Sequence, residues 1–303
     1  MCPRRLGRKC GLACRTGQVS DCEVEFDRSG AEMTSPILVA TDLSARSDRA
    51  VDRAFELGRD LGLVVEVVHV RKDEGHDGVS DAALQQRVRE ILPPGAAAAD
   101  VLVPEGSPPG TIARIAKERG AQLIVAGVAR FNQISDYFLG TAIDYLLRHA
   151  EVPVLVVKQR PRGLYRRILV PSDFSPASKQ AILTAARLIP DAAIRVVHVF
   201  HIGFESWGVA DHVREETLAR AQSGLAEFLA SDDLAPFAGR IEGVLASGEA
   251  EAAVGRAIED YDADLVVLGT QGGGALRQLT GGSRANSLLA WIRPDTLMVR
   301  LPG

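Results

Sequence analysis

The stretch PILVATDLSARSDRAV at residues 36–51 recurs in altered form as RILVPSDFSPASKQAI at residues 167–182. Each copy opens with a short apolar run, continues with an aspartate, an apolar residue and a serine, and then takes on the apolar spacing of a helix. A buried strand that leads into a helix start is the opening unit of an alternating β/α fold. The repeated stretch therefore predicts two copies of one α/β domain.

Further matches extend the repeat over most of the chain. VVEVVHV, ending at Val70, pairs with IRVVHVF, ending at Phe200, and each holds a histidine at the same place. AQLIVAGVA pairs with ADLVVLGTQ, and EVPVLVVK pairs with RPDTLMVR. A repeat of this length is a duplicated domain, because solenoid units have only about 20 to 50 residues. The spacing between matching residues widens along the chain, which predicts an insertion in the second copy between its second and fourth strands.

Five apolar runs in each copy predict the strands. In the first copy they lie near 37–41, 63–70, 99–104, 122–127 and 153–157, and in the second near 167–172, 193–200, 240–246, 264–269 and 296–300. Continuous apolar strands are typical of parallel sheets that helices cover on both faces. We therefore predict an α/β fold of two tandem, doubly wound (Rossmann-like) domains, each with a five-stranded parallel sheet.

The two copies span residues 36–158 and 166–301, and the charged stretch KQRPRGLYRR links them. All four cysteines of the chain lie within the first 22 residues, and their spacing lacks the C-x-x-C pairs of a zinc site. We expect residues 1–35 to be a disordered extension or a mis-assigned start. Because the remaining chain has no cysteine, we expect a reducing, cytoplasmic location.

Composition excludes some classes of partner. The 303 residues carry a net charge of −4, from 35 basic and 39 acidic residues, which argues against binding nucleic acid through bulk charge. No apolar run reaches the roughly 18 to 20 residues that span a bilayer, so we expect no membrane partner.

A glycine-rich stretch follows the fourth strand of the second copy. In LGTQGGGALRQLTGGSRANSLLAW, Gly269 closes the strand, Gly272 follows, and Gly282 and Ser283 precede a predicted helix. Glycines let the backbone approach an anion, and a helix N-terminus offers unpaired N–H groups to a phosphate. The alternative is a flexible loop in which Gly282 or Ser283 merely caps the helix.

Asp173 follows the first strand of the second copy. The first and fourth strands are neighbours at the reversal point of a doubly wound sheet, so Asp173 and the glycines are expected to face one crevice. A carboxylate there can accept hydrogen bonds from ribose hydroxyls or help to hold a phosphate-bound metal. Asp173 is also suited to starting the following helix, and it could do both.

The second copy resembles the ATP-binding branch of the universal stress proteins. The resemblance rests on the ordered motifs ILVPSDFS, VVHV and Gly-x2-Gly-x9-Gly-Ser, followed by the closing strand. The resemblance implies that residues 166–301 bind ATP, with or without Mg²⁺, and that residues 36–158 form a degenerate domain of the same type. It places Pro171, Ser172 and Asp173 at adenine and ribose, Val199 at adenine, and Leu268, Gly269 and Gly272 beneath the ribose and phosphates. It assigns the phosphates to Gly282, Ser283 and Arg284.

The first copy departs from this pattern at one position. Arg130 stands where the second copy has Gly272. A side chain is penalised if the loop needs a positive φ, and an arginine could fill the phosphate pocket. Alternatively, Arg130 could pair with a phosphate.

These observations predict a regulatory protein that binds ATP and hydrolyses it slowly or not at all. An enzyme of ATP hydrolysis or adenylyl transfer is the first alternative, and a nucleotide-free dimerisation module is the second. The resemblance also implies pairing through the last strand of each copy, PVLVV or TLMVR, either in a homodimer or between the two copies of one chain. His69 and His198 are expected to be packed strand residues, and we assign no catalytic or metal-binding residue.

Overall fold

The computed structural model describes residues 35–71, 79–128, 141–201, 211–270 and 291–301. The first repeat contains strands β1 (Ile37–Ala40), β2 (Val65–Val68), β3 (Asp100–Leu102), β4 (Leu123–Gly127) and β5 (Val154–Val157), with helices α1 (Ser47–Leu61), α2 (Asp81–Glu90), α3 (Pro108–Glu118) and α4 (Thr141–His149). The second contains β6 (Arg167–Pro171), β7 (Ala193–Phe200), β8 (Ile241–Ser247), β9 (Leu265–Thr270) and β10 (Asp295–Arg300), with α5 (Pro176–Leu188), α6 (Asp211–Leu229), α7 (Ala250–Tyr261) and a 3-10 helix (Ala235–Arg240). Residues 1–34, which include the four cysteines, lie outside the described residues.

The strands in the described residues form one sheet, in the order β3-β2-β1-β4-β5-β10-β9-β6-β7-β8. Pairing is parallel within each repeat, and β5 meets β10 in the antiparallel direction. The order in each repeat reverses next to its first strand, as in a doubly wound sheet. The predicted fold class, with two tandem repeats of five parallel strands, is confirmed.

Leu155 and Leu297 mark the junction between the repeats. They occupy equivalent positions in the two copies, and they are directly opposite each other in the antiparallel pair of β5 and β10. Equivalent residues that face each other define a two-fold relation, as in an isologous dimer interface. The last strands therefore pair within one chain, which is one of the two arrangements that the sequence left open.

Apolar side chains fill a layer on each face of the sheet. One layer includes residues of α1, α5 and α6, such as Leu57, Ile182 and Phe228. The opposite layer includes residues of α3, α4 and α7, such as Ile115 and Leu146. Successive strand residues alternate between the two layers, which explains why the strands are apolar on both sides.

The predicted insertion lies at α6 and the 3-10 helix. Helix α6 has 19 residues, whereas α2 in the first repeat has 10. Arg240, at the end of the 3-10 helix, donates hydrogen bonds to the carbonyls of Ala186, Ile189 and Ala192 at the end of α5. The insertion thus supplies donors to carbonyls that a helix C-terminus leaves without intrahelical partners.

A buried carboxylate fastens the linker between the repeats to the last strand. Asp295 is 0% exposed, and its Oδ1 accepts hydrogen bonds from the backbone N–H groups of Lys158 (2.7 Å) and Gln159 (2.8 Å). Its Oδ2 accepts one from the Tyr165 hydroxyl (2.6 Å) and lies 3.6 Å from Nε of Arg53. The Arg53 guanidinium stacks over the Tyr165 ring. Hydrogen bonds and a nearby cation offset the desolvation of this buried charge.

Replacing Asp295 by alanine is expected to lower the free energy of unfolding by about 3 to 5 kcal/mol, because it leaves three donors at the junction without their acceptor and removes one carboxylate from beside Arg53. Arg53 keeps Glu56 (2.6 Å) and the carbonyl of Gly163 (2.7 Å) as partners. The matched control is Glu118→Ala, since Glu118 pairs with Arg114 on the exposed face of α3. The control should change stability by about 1 kcal/mol or less. Urea unfolding of both variants measures the difference, and equal losses would contradict the role of Asp295.

Lys158 is a second buried charge at the same junction. Its Nζ donates to the carbonyl of Ile292 (2.6 Å) and to Oγ1 of Thr296 (3.0 Å). Burial lowers the pKa of Lys158 to about 7, although Asp295 acts in the opposite direction. In the folded protein, much of the Lys158 population is therefore neutral just above neutral pH, whereas unfolding restores its ordinary pKa.

Between pH 7 and about pH 9.5, the unfolded chain keeps a proton that folded Lys158 has released, so stability rises with pH. The free energy of unfolding of the wild type should therefore rise relative to that of Lys158→Met, with a slope of up to about 1.4 kcal/mol per pH unit. Lys117→Met, at an exposed partner of Glu151, should show no such trend. Urea unfolding at several pH values measures this trend. If the difference in free energy of unfolding between the wild type and Lys158→Met did not change with pH, the lowered pKa of Lys158 would be refuted.

Candidate functional site

In an open α/β sheet the ligand crevice lies where the strand order reverses, which in the second repeat is at β6. Strand β6 pairs with β9 on one side and with β7 on the other, so the predicted adjacency of the first and fourth strands is confirmed. Leu169 is opposite Val266 in this pairing, which brings the ends of β6 and β9 to the same level. Asp173 and Gly269 thus belong to the carboxyl edge of two neighbouring strands, where ligands bind in open α/β sheets.

Asp173 organises the start of α5. Its Oδ1 accepts hydrogen bonds from the backbone N–H of Ser175 (3.1 Å) and from the hydroxyl of Ser178 (3.2 Å). Ser175 caps the helix, because its hydroxyl oxygen accepts a hydrogen bond from the N–H of Ser178. The helix-start role that the sequence indicated is therefore present. A carboxylate can accept about four hydrogen bonds, so this role is compatible with a contact to ribose.

Two bulky residues adopt a left-handed backbone in this turn. Phe174 has a φ of +64°, and Leu43 in the first repeat has a φ of +60°. In both, the backbone N–H donates to the hydroxyl two residues earlier, on Ser172 or Thr41. A positive φ is rare for side chains of this size and persists only where the surroundings hold it. Nothing in the sequence pattern indicated this strain, although the shared spacing of hydroxyl residues in TDLSARS and SDFSPAS indicated a common turn.

His198 stabilises the same turn from β7. Its Nδ1 lies 2.8 Å from the carbonyl oxygen of Ser172, and its ring stacks on Phe174 at 4.0 Å between centroids. His69 makes the equivalent contact with the carbonyl oxygen of Thr41 at 3.0 Å. Each histidine therefore holds the end of the first strand of its repeat, which explains its presence at the same place in both copies.

Gly269 allows α5 to pack close to β9. A Cβ at this position would lie 2.3 Å from the carbonyl oxygen of Ala177, in the first turn of α5. At the equivalent Gly127, a Cβ would lie 3.0 Å from the carbonyl oxygen of Arg46. Close packing of a helix against a strand therefore explains both glycines without a ligand. The helix lies closer to the strand in the second repeat.

The remaining described residues contribute mostly through their backbone. Leu268 is 1% exposed, so its side chain belongs to the core, and Pro171 and Ser172 are also buried. The Val197 carbonyl accepts a hydrogen bond from the N–H of Ser172. Because backbone groups alternate in direction along a strand, those of Val199 point to the same side, beyond the end of β6. Val199 therefore directs an N–H and a C=O towards the crevice.

Four predicted ligand residues, Gly272, Gly282, Ser283 and Arg284, lie outside the described residues. So does Arg130, so the contrast between the two glycine loops remains a sequence-based prediction. In the parts of the chain that the structure describes, no three histidine, cysteine, aspartate or glutamate side chains gather in a way that could hold a metal ion.

The turn of the first repeat carries an anionic carboxylate. Burial raises the pKa of Asp42, but hydrogen bonds from Ser44 and Ser47 outweigh this effect and leave the pKa below its ordinary value. Oδ1 of Asp42 accepts both from the backbone N–H of Ser44 (3.0 Å) and from its hydroxyl (2.5 Å). The first repeat therefore has the same kind of acidic turn as the second.

Comparison with known proteins agrees with this architecture. The chain matches the universal stress protein family twice, over residues 33–158 and 164–300. It belongs to the universal stress protein family. A Staphylococcus haemolyticus (strain JCSC1435) protein classed with this family is 26% identical over 156 residues, which are 46% of this chain and 89% of that protein.

Two solved structures share the fold of this universal stress protein over most of its length. One is a universal stress protein from Archaeoglobus fulgidus DSM 4304, with a TM-score of 0.57 and 18% identity, covering 89% of this chain and 98% of that one. The other is PA1789 from Pseudomonas aeruginosa PAO1, of unknown function, with a TM-score of 0.59 and 20% identity, covering 88% of this chain and 92% of that one. No helix in the described ranges has the length and apolar character needed to cross a membrane.

The close packing at Gly269 predicts how substitution there changes the stability of this universal stress protein. Gly269→Ala should lower the free energy of unfolding by about 1 to 3 kcal/mol, because the new methyl group would meet backbone that must shift. Gly127→Ala is the matched control and should cost less, since its nearest neighbour is farther away. Thermal unfolding of the two variants measures this order, and a larger loss for Gly127→Ala would contradict it.

Proposed function

We propose that this universal stress protein is a regulatory protein that binds ATP in the crevice of its second repeat, with little or no hydrolysis. The observation that carries the proposal is the arrangement of Asp173, Gly269 and the backbone of Val199 around the carboxyl ends of β6, β9 and β7. At the point where the strand order reverses, the carboxylate suits the ribose, the close-packed glycine suits the phosphates, and the backbone groups of Val199 suit the base.

Each part of the nucleotide has a proposed partner. The backbone of Val199 offers a donor and an acceptor to the adenine edge, and Pro171 and Ser172 border the base. Asp173 accepts hydrogen bonds from the ribose hydroxyls. The backbone of Leu268 and Gly269 runs beneath the ribose. Gly272, Gly282, Ser283 and Arg284 hold the phosphates, by the glycine-loop and helix-terminus chemistry that the sequence indicates.

Mg²⁺ fits this proposal as an ion that arrives with the nucleotide. Magnesium is commonly held by one or two carboxylates together with substrate phosphates and water. Asp173 is the carboxylate of the crevice that could share such an ion. The protein would then need no metal site of its own, and ATP would supply most of the charge that attracts the ion.

A regulatory role requires that ATP binds two states of the protein with different affinity. The β6–α5 turn is the element of the crevice that could differ, because Phe174 is held in a strained backbone conformation. It connects Asp173 in the crevice with Phe228 on α6, whose ring lies 5.4 Å from that of Phe174. Occupancy of the crevice would in this way influence the surface formed by α6.

A nucleotide-free interaction module is the second candidate function. The hydrogen bonds of Asp173 at the start of α5 and the close packing of Gly269 account for both residues without any ligand. The two candidates differ in one measurable respect, because only the first predicts saturable binding of adenine nucleotide.

Calorimetric titration should find about one ATP site per chain. Asp173→Asn should weaken binding about tenfold, because a neutral acceptor forms a weaker hydrogen bond than a carboxylate by about 1 to 1.5 kcal/mol. Asparagine can keep the local turn, so the variant should fold normally. The matched control is Asp42→Asn, in the equivalent turn of the first repeat, and it should leave ATP affinity unchanged.

Gly272→Arg copies the residue of the first repeat and should abolish ATP binding by the second. No binding to the wild type at millimolar ATP would contradict the proposal and favour the interaction module. Steady ATP turnover that Asp173→Ala removes without loss of binding would instead favour an enzyme of ATP hydrolysis or adenylyl transfer.

A further inference from the structure

Strand β8 forms one outer edge of the ten-stranded sheet, and β3 forms the other. Strand β8 has seven residues, whereas β3 has three. Glu242, Gly243 and Val244 in the middle of β8 are exposed. An exposed edge of this length presents a row of N–H and C=O groups that can pair with another strand.

The direction of these backbone groups follows from the pairing with β7. The N–H of Gly248 donates to the carbonyl of Phe200 on β7. Backbone groups alternate along a strand, so those of Val244 and Ala246 also face β7. Those of Gly243 and Leu245 therefore point away from the sheet, to the outer side of β8.

The corresponding groups at the β3 edge have side-chain partners. Gln85 of α2 donates to the outward carbonyl of Val101 (3.5 Å), and Arg89 donates to the carbonyls of Ala97 (3.1 Å) and Ala99 (3.3 Å). Covering an edge in this way is a common protection against strand addition.

At the β8 edge, Arg256 donates to the carbonyl of Ser247 (3.3 Å). Among the residues that the structure describes, no side chain donates to the carbonyls of Gly243 or Leu245. The two edges of the sheet therefore differ in protection as well as in length.

The side chains of β8 also lack the usual features that discourage pairing. The strand contains no lysine or proline, and its one charged residue, Glu242, is paired with Arg195 of β7 within the same sheet. Val244 is 36% exposed, although its side chain is apolar. An exposed valine between outward-facing backbone groups favours strand pairing.

We propose that β8 pairs in the antiparallel direction with β8 of a second copy of this chain. The strand is complementary to itself about a two-fold axis at Val244. In this register Gly243 faces Leu245 of the second copy and exchanges hydrogen bonds with it, and Val244 faces its own counterpart. Glu242 falls opposite Ala246, so no like charges are directly opposed. The interface is isologous and closes after two chains.

A second copy fits this edge because one register satisfies the backbone and the side chains at the same time. The valine pair at the axis has its Cβ atoms about 4.5 to 5.5 Å apart, which is contact distance for branched side chains. The interface is small, so the dimer should be weak and dependent on concentration. It does not depend on the nucleotide proposal, because β8 lies outside the β6–β9 crevice.

Sedimentation equilibrium of the full chain tests the proposal at concentrations up to about 100 µM, where weak interfaces become populated. The apparent mass of the wild type should rise from 32.4 kDa for one chain towards twice that value. Val244→Lys should stay at the mass of one chain, because it places two cations at the axis. Val64→Lys, at a valine that is 53% exposed in the first repeat, is the matched control and should dimerise like the wild type.

A charge exchange tests the register itself. Val244→Glu alone should also remain a single chain, while an equimolar mixture of Val244→Lys and Val244→Glu should regain the mass of two chains. Circular dichroism verifies that each variant is folded. A wild type that stays at one chain, a Val244→Lys variant that still dimerises, or a mixture that fails to associate would each overturn the proposal.

Discussion

The antiparallel pairing of β5 with β10 determines how the two repeats are arranged in the described part of the chain. Leu155 and Leu297 face each other there, and the two parallel sheets join into one. The strands of one repeat therefore run opposite to those of the other. The carboxyl ends of the strands in the two repeats therefore lie along opposite edges of the sheet. Each crevice must then be built from residues of its own repeat. Both last strands are used within the chain, so the free edges of the sheet are β3 and β8.

The two repeats share one framework at the start of their first helix. One hydrogen bond of 3.0 Å joins the hydroxyls of Thr41 and Ser47 in the first repeat, and the Ser172 hydroxyl donates to that of Ser178 at the same distance in the second. The equivalent histidines and the left-handed residues after the aspartates add to this likeness. Because the framework is common, we attribute the proposed difference in ATP binding to the loops that follow β4 and β9.

Sequence periodicity was sufficient to predict the strands, the duplication and the neighbours of β6, because these follow from local patterns and from general rules of sheet topology. The cluster around Asp295 was not predictable, since Tyr165 and Arg53 reach it from far away along the chain. The packing reason for Gly269 was missed for a similar cause: its nearest neighbour, Ala177, belongs to a different element. The motif around Gly269 suggested a ligand site, but the glycine is also needed for close packing against α5.

We propose that the second repeat, and not the first, holds an adenine nucleotide. Native mass spectrometry of the full chain, purified gently and then supplied with millimolar ATP, tests it most directly, because the mass identifies both the ligand and its number. We predict one adenine nucleotide for each 32.4 kDa chain. Two nucleotides per chain, or none, would contradict the account.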